Sequence, residues 1–369
     1  MTQKHERSRV CRIGAATLGV VSVLFGTLVW AQDDEVGIDT TLEPRPAVIA
    51  PRSESSLLLD ITRAGDHYVV VGQRGNILLS ADGTQWKQVP VPNDATLTRV
   101  RFVDANTGWA IGYDGTVLGT TDGGEHWTLL QHDAAWGKPY YDIHFFDAST
   151  GLLAGANGVL KRSSDGGMSW QDIDTDALED GPNLYNLITL GDGSLLLAGE
   201  RGFLALSGDR GETWQRLKSP YTGSFFGALP INPSGAVIFG LRGNAFYAAD
   251  LAQAAILTPE DVEAMREAAF DPEAATGAAN PVSTVAGWTE LASDSFESLF
   301  GGTLTADGTV LLFGMNGHVM QADLTQAKLS RLPLDANANT DINMNAGLVA
   351  GDSLIVVGTS GVQRLHWSH

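Results

Sequence analysis

GWAIGYDGTVLGTTDGGEHW, residues 108–127, is the stretch from which the fold is read. It contains a short apolar run at Trp109–Ile111, a Gly-Tyr-Asp-Gly turn at 112–115, a second run from Thr116 to Thr120, and a tighter turn ending at Trp127. Two apolar runs punctuated by Gly and Asp are the signature of a β-hairpin. The outline, an apolar run followed by Gly-x-x-Gly, recurs at Gly72/Gly75, Gly112/Gly115, Gly155/Gly158, Gly199/Gly202, Gly240/Gly243, Gly314/Gly317 and Gly358/Gly361. Successive first glycines are 40, 43, 44, 41, 74 and 44 residues apart, so the one long step is an ordinary step plus an insertion. Periods of roughly 40–50 residues with several strands per repeat predict a β-propeller. The expected fold is therefore all-β: a seven-bladed propeller over residues 57–369, with a helical insertion at 251–287 in blade five.

A second signature rides on the first. Thr120-x-Asp122-x-Gly124-x-x-Trp127 returns as Ser163, Asp165, Gly167, Trp170 and as Ser207, Asp209, Gly211, Trp214, with a shorter version at Ser80, Asp82, Gly83, Trp86. This resembles the Asp-box of the bacterial-neuraminidase-type repeat. A short carboxylate can accept hydrogen bonds from nearby backbone N–H groups, glycine tolerates positive φ, and the indole can pack beneath the turn. Asp82, Asp122, Asp165 and Asp209, with Trp86, Trp127, Trp170 and Trp214, are thus expected to brace turns rather than to catalyse or bind calcium.

Residues 1–31 stand apart. Lys4, Arg7, Arg9 and Arg12 precede an apolar stretch from Ile13 to Trp30, and Val29-Trp30-Ala31 offers small residues at −3 and −1. This predicts an export signal cleaved after Ala31, the alternative being a retained membrane anchor. A periplasmic location follows from either. The single cysteine, Cys11, lies in this segment, so no disulfide, thiol nucleophile or cysteine metal site is expected beyond it. Loss of four basic residues and Glu6 moves the net charge from −20 to −23. So acidic a chain is not expected to bind nucleic acid or anionic lipid, and any cationic patch on it is informative.

Residues 32–56 form a proline-containing extended lead-in. The last repeat runs out of chain after its third strand, and a closed ring leaves no free edge. Arg45–Ala50 (RPAVIA) is therefore expected to supply the outer strand of blade seven. In the insertion, Thr258 reads as an N-cap, Pro259 as the first helical residue and Asp261 as the third, opening a helix to about Phe270 with Val262, Met265 and Ala269 on one face. It is either a docking element or a decorated surface loop.

In a four-stranded antiparallel blade, the Gly-x-x-Gly turns and the blade connections share one face, with the Asp-boxes on the other. Arg74, Tyr113, Arg201 and Arg242 from the turns, and Trp136, Tyr140 and Tyr221 from the connections, are the candidate partner-binding residues, since Arg and aromatics dominate interface hot spots. The histidines show no metal-ligand spacing, no nucleophile elbow or phosphate loop is present, and no cofactor or metal is expected.

The run Asp104–Gly112 (DANTGWAIG), Gly115-x-Val117-Leu118, the Asp-box to Trp127, and Phe146–Gly151 (FDASTG) resemble the photosystem II stability and assembly factor family of seven-bladed propellers. That resemblance implies a non-enzymatic protein that binds assembling membrane-protein subunits through an arginine patch. Arg74, Arg201 and Arg242 occupy the matching positions; Asp114, Asn157, Asn316 and Ser360 depart from it. Relatives outside photosynthesis point to an accessory of an RND-type envelope transporter. The competing reading is a secreted carbohydrate-active protein, a sialidase-like glycosidase or a lectin, for which the Arg-Ile-Pro strand is missing.

Overall fold

The second strand of every repeat is apolar along its whole length rather than alternating: Val69, Val70 and Val71, then Trp109, Ala110 and Ile111, then Leu195, Leu196 and Leu197, are all buried. A strand covered on both faces reads in this way. In the computed structural model, which describes residues 43–269, 282–334 and 342–367, each such strand is the second of a blade wedged between two neighbouring blades. There are seven sheets, with first strands Leu58–Ala64, Leu97–Phe102, Tyr140–Phe145, Leu184–Thr189, Phe225–Pro230, Leu299–Leu304 and Met344–Ala350. These seven strands are neighbours in a closed cycle, the last lying against the first, so they surround the axis. The seven-bladed propeller read from the spacing is the observed fold. The described residues all belong to the unit Thr40–His369.

Outer strands are short and polar, Lys87–Gln88 in blade one and Gln215–Arg216 in blade four, which leaves little edge on which another chain could pair.

Blades are clasped to one another near the axis by side chains of the first strands. Asp60 Oδ2 accepts the Val100 N–H of the next blade at 2.9 Å, Asp142 Oδ2 accepts Leu187 N–H at 2.8 Å, and Asn186 Oδ1 accepts Ala228 N–H at 2.8 Å. Thr98 Oγ1 donates to the Tyr140 carbonyl at 2.6 Å. Arg99 and Arg101 lie between the two aspartates. Arg99 Nε is 3.2 Å from Asp142 and Arg101 Nη1 is 2.8 Å from Asp60. Two buried carboxylates facing two guanidinia neutralise each other, the condition for charge at low exposure.

The closing strand is not where the sequence put it. Blade seven has three strands among the described residues, and Arg45–Ala50 lies against blade one. There Ala47 N–H donates to the Val91 carbonyl at 2.9 Å, and the Gln88 side-chain amide bonds both Val48 O and Ala50 N. The ring closes by lateral packing instead. Leu58, Tyr68 and Leu78 of blade one share a core with Ile355 and Val357 of blade seven. Asn345 Nδ2 donates to Leu58 O at 2.8 Å and Arg364 Nη1 to Asp82 O at 3.1 Å. Blade faces that must be buried anyway hold the seam, so no strand has to be shared.

The insertion leaves blade five between strands Ala245–Ala248 and Thr289–Glu290. Its helix α1, Pro259–Ala269, begins with the expected cap: Thr258 Oγ1 accepts Asp261 N–H while Asp261 Oδ2 accepts Thr258 N–H. Of the expected helix face, Val262 is half-buried; the Met265 and Ala269 side chains and residues 270–281 lie outside the described residues. The arms of the insertion run beside the exit of blade four. Leu257 N–H bonds Arg216 O, Lys218 N–H bonds Ala255 O, and Lys218 Nζ lies 2.9 Å from Asp261.

Candidate functional site

The Gly-x-x-Gly turns are built on a residue that few L-amino acids tolerate. Arg74, Arg201 and Arg242 have φ of 56°, 53° and 58°, and Asp114, Asn157 and Asn316 take the same left-handed conformation in the other blades. This geometry costs a non-glycine residue about 1 kcal/mol or more. It stands the side chain on the tip of the turn, away from the blade. Each is followed by a glycine that has no alternative: a Cβ on Gly75 would collide with the Asn93 carbonyl. Blade seven departs, its strands joining through the tighter hairpin Gly358–Gly361, so Ser360 lacks this geometry.

All three arginines are exposed, and none lies within salt-bridge distance of a carboxylate among the described residues. Arg201 Nη2 reaches only the Asp180 carbonyl, at 3.4 Å. Tyr113, 44% exposed, stands on the equivalent turn of blade two. A groove of about 800 Å³ between the lead-in and blades one and two is lined by Arg45, Val48, Arg52, Arg74, Tyr113 and Asp114. Arg45 is paired with Asp94 at 3.1 Å. A smaller groove of about 320 Å³ holds Arg242 beside Phe296, which is 84% exposed. Val48, at 78%, and Ile49 add to the apolar surface. Exposed apolar side chains and unpaired guanidinia thus gather on the turn face of an acidic protein.

Three residues placed there from the sequence behave otherwise. Tyr140 is 2% exposed and Tyr221 1% exposed, so neither is available to a partner. Tyr140 OH takes the Gln131 amide N–H at 3.0 Å, and the Tyr221 ring sits 6.0 Å from Phe225 and 6.4 Å from Phe246. Each comes at the end of its blade connection, where the chain turns inward between blades. Trp136 is half-buried, with Lys138 Nζ 5.1 Å and Lys161 Nζ 5.5 Å from its ring centroid. Phe296 went unnoticed in the sequence, whereas Val48 and Ile49 fall in the segment expected to close blade seven. The only signal was an aromatic residue set among polar neighbours in Asp294-Ser-Phe-Glu297.

The Asp-boxes are braces. Asp165 Oδ1 takes the Ser163 hydroxyl at 2.8 Å and Ser169 N–H at 2.9 Å, while Oδ2 takes the Ser169 hydroxyl at 2.6 Å; Asp209 repeats this with Ser207 and Thr213. In blade two, Asp122 Oδ1 takes His126 N–H at 3.0 Å. Asp82, in the shorter box, bonds the Thr84 and Gln85 amides. Trp127, Trp170 and Trp214 each donate their indole N–H to the carbonyl three residues back, whereas Trp86 packs near Tyr68. The Ser169 and Thr213 side-chain bonds, first among several, hold Asp165 and Asp209 at pKa values of about 2. The Gln85 and Thr84 backbone amides pull Asp82 down as well. A carboxyl depressed in the folded state stabilises the fold above its unfolded pKa and loses that contribution as pH falls through the folded value. Melting temperature should therefore hold down to pH about 4 and fall between about 4 and 2, with the slope lessened in Asp165→Asn/Asp209→Asn. A double variant with an unchanged acid profile would remove the boxes from the acid response.

Among the described residues no group of three His, Cys, Asp or Glu side chains is placed to hold a metal ion. The carboxylates that approach each other near the axis, Asp60 and Asp142, are buried, with their lone pairs taken by Arg99, Arg101 and backbone N–H groups. That is a structural network, poorly suited to the acid/base pair of a glycosidase. No helix among the described residues is long and apolar enough to cross a membrane.

Fold and site define a seven-bladed propeller of Asp-box repeats, with exposed arginines and apolar side chains on the turn face of an acidic body. The sequence model of the family described as "Photosynthesis system II assembly factor YCF48" matches residues 78–137 and 131–240, so this part of the chain is similar to that family's repeats. A 47-residue stretch is 49% identical to the chloroplastic photosystem II stability/assembly factor HCF136 of Cyanidioschyzon merolae, covering 12% of this chain and 11% of that protein. Among solved structures, YCF48 from Cyanidioschyzon merolae is similar at 16% identity with a TM-score of 0.61, over 87% of this chain and 97% of that one. A YCF48 bound to D1 peptide matches at 17% identity and 0.57, over 89% and 97%. The WD40 propeller domain of Doa1 is similar at 12% and 0.59, over 86% and 94%, so these likenesses speak for the fold.

Proposed function

We propose that this protein is a non-enzymatic binding propeller that assists assembly of a membrane-protein complex, docking a segment of it on the turn face. One observation carries the reading: Arg74, Arg201 and Arg242, exposed and without carboxylate partners, stand on the same face as Tyr113, Val48 and Phe296 in a chain of net charge −20. Isolated cations on an acidic body, next to exposed aromatics, have the composition of an interface core. The similar solved propeller, a YCF48 bound to D1 peptide, supports a peptide segment as the ligand of such a face. The basic and apolar leader supports export to the periplasm, and with it an envelope complex such as an RND-type transporter as the partner.

Affinity purification of the tagged full chain from native membranes, after mild cross-linking, tests this. An integral membrane protein or its exported domain should co-purify in stoichiometric yield from the periplasmic side. Recovery of the propeller alone, or release of sugar from glycoconjugates by the purified protein, would replace the docking reading with the carbohydrate one.

A further inference from the structure

Every first strand carries a β-bulge at the same place. The register slips once near its start, leaving one residue unpaired between Leu58 and Asp60, and likewise in the six other blades. A bulge re-aims a side chain, and its repetition around a ring aims all seven at the axis. The residue before each bulge pairs with the first glycine of the neighbouring turn, as Leu58 with Gly72 and Leu184 with Gly199. The bulged residues are therefore level with the turn tips, at the mouth of the axis on the arginine face.

Four consecutive bulged residues are aromatic: Tyr141, Tyr185, Phe226 and Phe300. Their rings touch in series, with centroids 5.1, 5.5 and 5.6 Å apart. All four are half-buried, so the arc keeps a solvent-facing side. The other three are Leu59, Thr98 and Asn345; Thr98 and Asn345 spend their polar groups on the backbone of adjoining blades. Four of the seven positions at the mouth are thus aromatic, and the other three are Leu59 and two polar residues bonded to neighbouring backbone. The floor beneath is fixed: Arg99 donates to the Tyr141 and Tyr185 carbonyls, both at 3.2 Å, while its guanidinium also faces Asp60 and Asp142. Burial, first among several causes, pushes the Tyr141 phenol up to about 12, so it remains a neutral ring.

We propose that this arc is an anchor site for one aromatic or large aliphatic side chain, presented by an acidic segment of the partner whose carboxylates meet Arg74, Arg201 and Arg242. This rests on the docking reading above and adds the chemistry of the segment. The arc selects an apolar side chain because edge-to-face ring contacts reward one, and the turn arginines select the acidic flank.

Two short acidic peptides, identical except for a central para-fluorophenylalanine or alanine, are the probes. The aromatic peptide should bind the wild-type chain at least about tenfold more tightly, the scale of one interface hot spot. Its fluorine resonance should move upfield on binding, from ring currents that alanine cannot report. Tyr185→Leu/Phe226→Leu, which keeps the apolar volume, should erase both differences while leaving the alanine peptide's weak binding in place. The wild-type fluorine shift stands even if that variant fails to fold. Equal affinity of the two peptides, no binding by either, a shift surviving the double substitution, or displacement of the aromatic peptide by a neutral oligosaccharide would each overturn the anchor. Equal, arginine-dependent affinity would do so while leaving the docking reading intact.

Discussion

Asp142→Ala should destabilise the propeller by about 3–5 kcal/mol, the scale on which breaking one side of a buried ion pair is felt. The side chain is 0% exposed. Its Oδ1 faces Arg99 Nε at 3.2 Å and Arg101 Nη2 at 3.5 Å, and its Oδ2 takes Asn186 Nδ2 at 2.6 Å and Leu187 N–H at 2.8 Å. Truncation leaves a backbone N–H of blade four without its acceptor and two guanidinia sharing Asp60 alone, in a region with little water to compensate. Asp142→Asn should cost less, because it keeps an acceptor for Leu187 but turns an amide donor toward other donors. An exposed ion pair is the comparison: Lys87 and Glu125 lie 3.3 Å apart with both side chains open to solvent, so Glu125→Ala should change stability by under about 1 kcal/mol. Denaturant unfolding of the three variants checks the order. An Asp142→Ala protein within about 1 kcal/mol of wild type would mean that lateral apolar packing alone holds blades two to four together.

That network was invisible in the sequence, whereas the ring around it was legible. Apolar second strands, Gly-x-x-Gly spacing and Asp-boxes are local signals, each set by what one blade needs, and repetition supplies the count. The failures concern relations between blades. The short last repeat showed a missing strand, but not that Ile355 and Val357 would pack on Leu58 and Tyr68 well enough to close the seam. Tyr140 and Tyr141 are adjacent; one is buried between blades and the other lines the axial mouth, because Tyr141 is itself the bulged residue between Tyr140 and Asp142 and breaks the period of two on which strand reading depends. Tyr221 and Phe296 likewise both sit in blade connections, and only the direction taken by the chain separates a core residue from an exposed one. The turn arginines were legible because left-handed turn tips leave a side chain little choice but solvent.

Reversal of those arginines should abolish partner capture without unfolding. In Arg74→Glu/Arg201→Glu/Arg242→Glu the turn face changes by six charge units, and an acidic segment that met three guanidinia now meets three carboxylates. With about 1 kcal/mol lost per truncated interface charge and further repulsion on reversal, affinity should fall by at least about a hundredfold. The fold should tolerate the change, since all three side chains are exposed on turn tips and the one side-chain bond among them, Arg201 to the Asp180 carbonyl, is long at 3.4 Å. Arg→Asn at the same three positions separates charge from conformation, because Asn157 and Asn316 already occupy the left-handed position in blades three and six. That variant should melt like wild type and bind between the two extremes. Wild-type capture should also weaken as salt is raised, because the guanidinia and the acidic flank attract each other across solvent. Undiminished, salt-independent capture by the triple Glu variant, with an unchanged melt, would move the docking surface off the turn face altogether, and the Asp-box side or the blade-five insertion would then be the place to look.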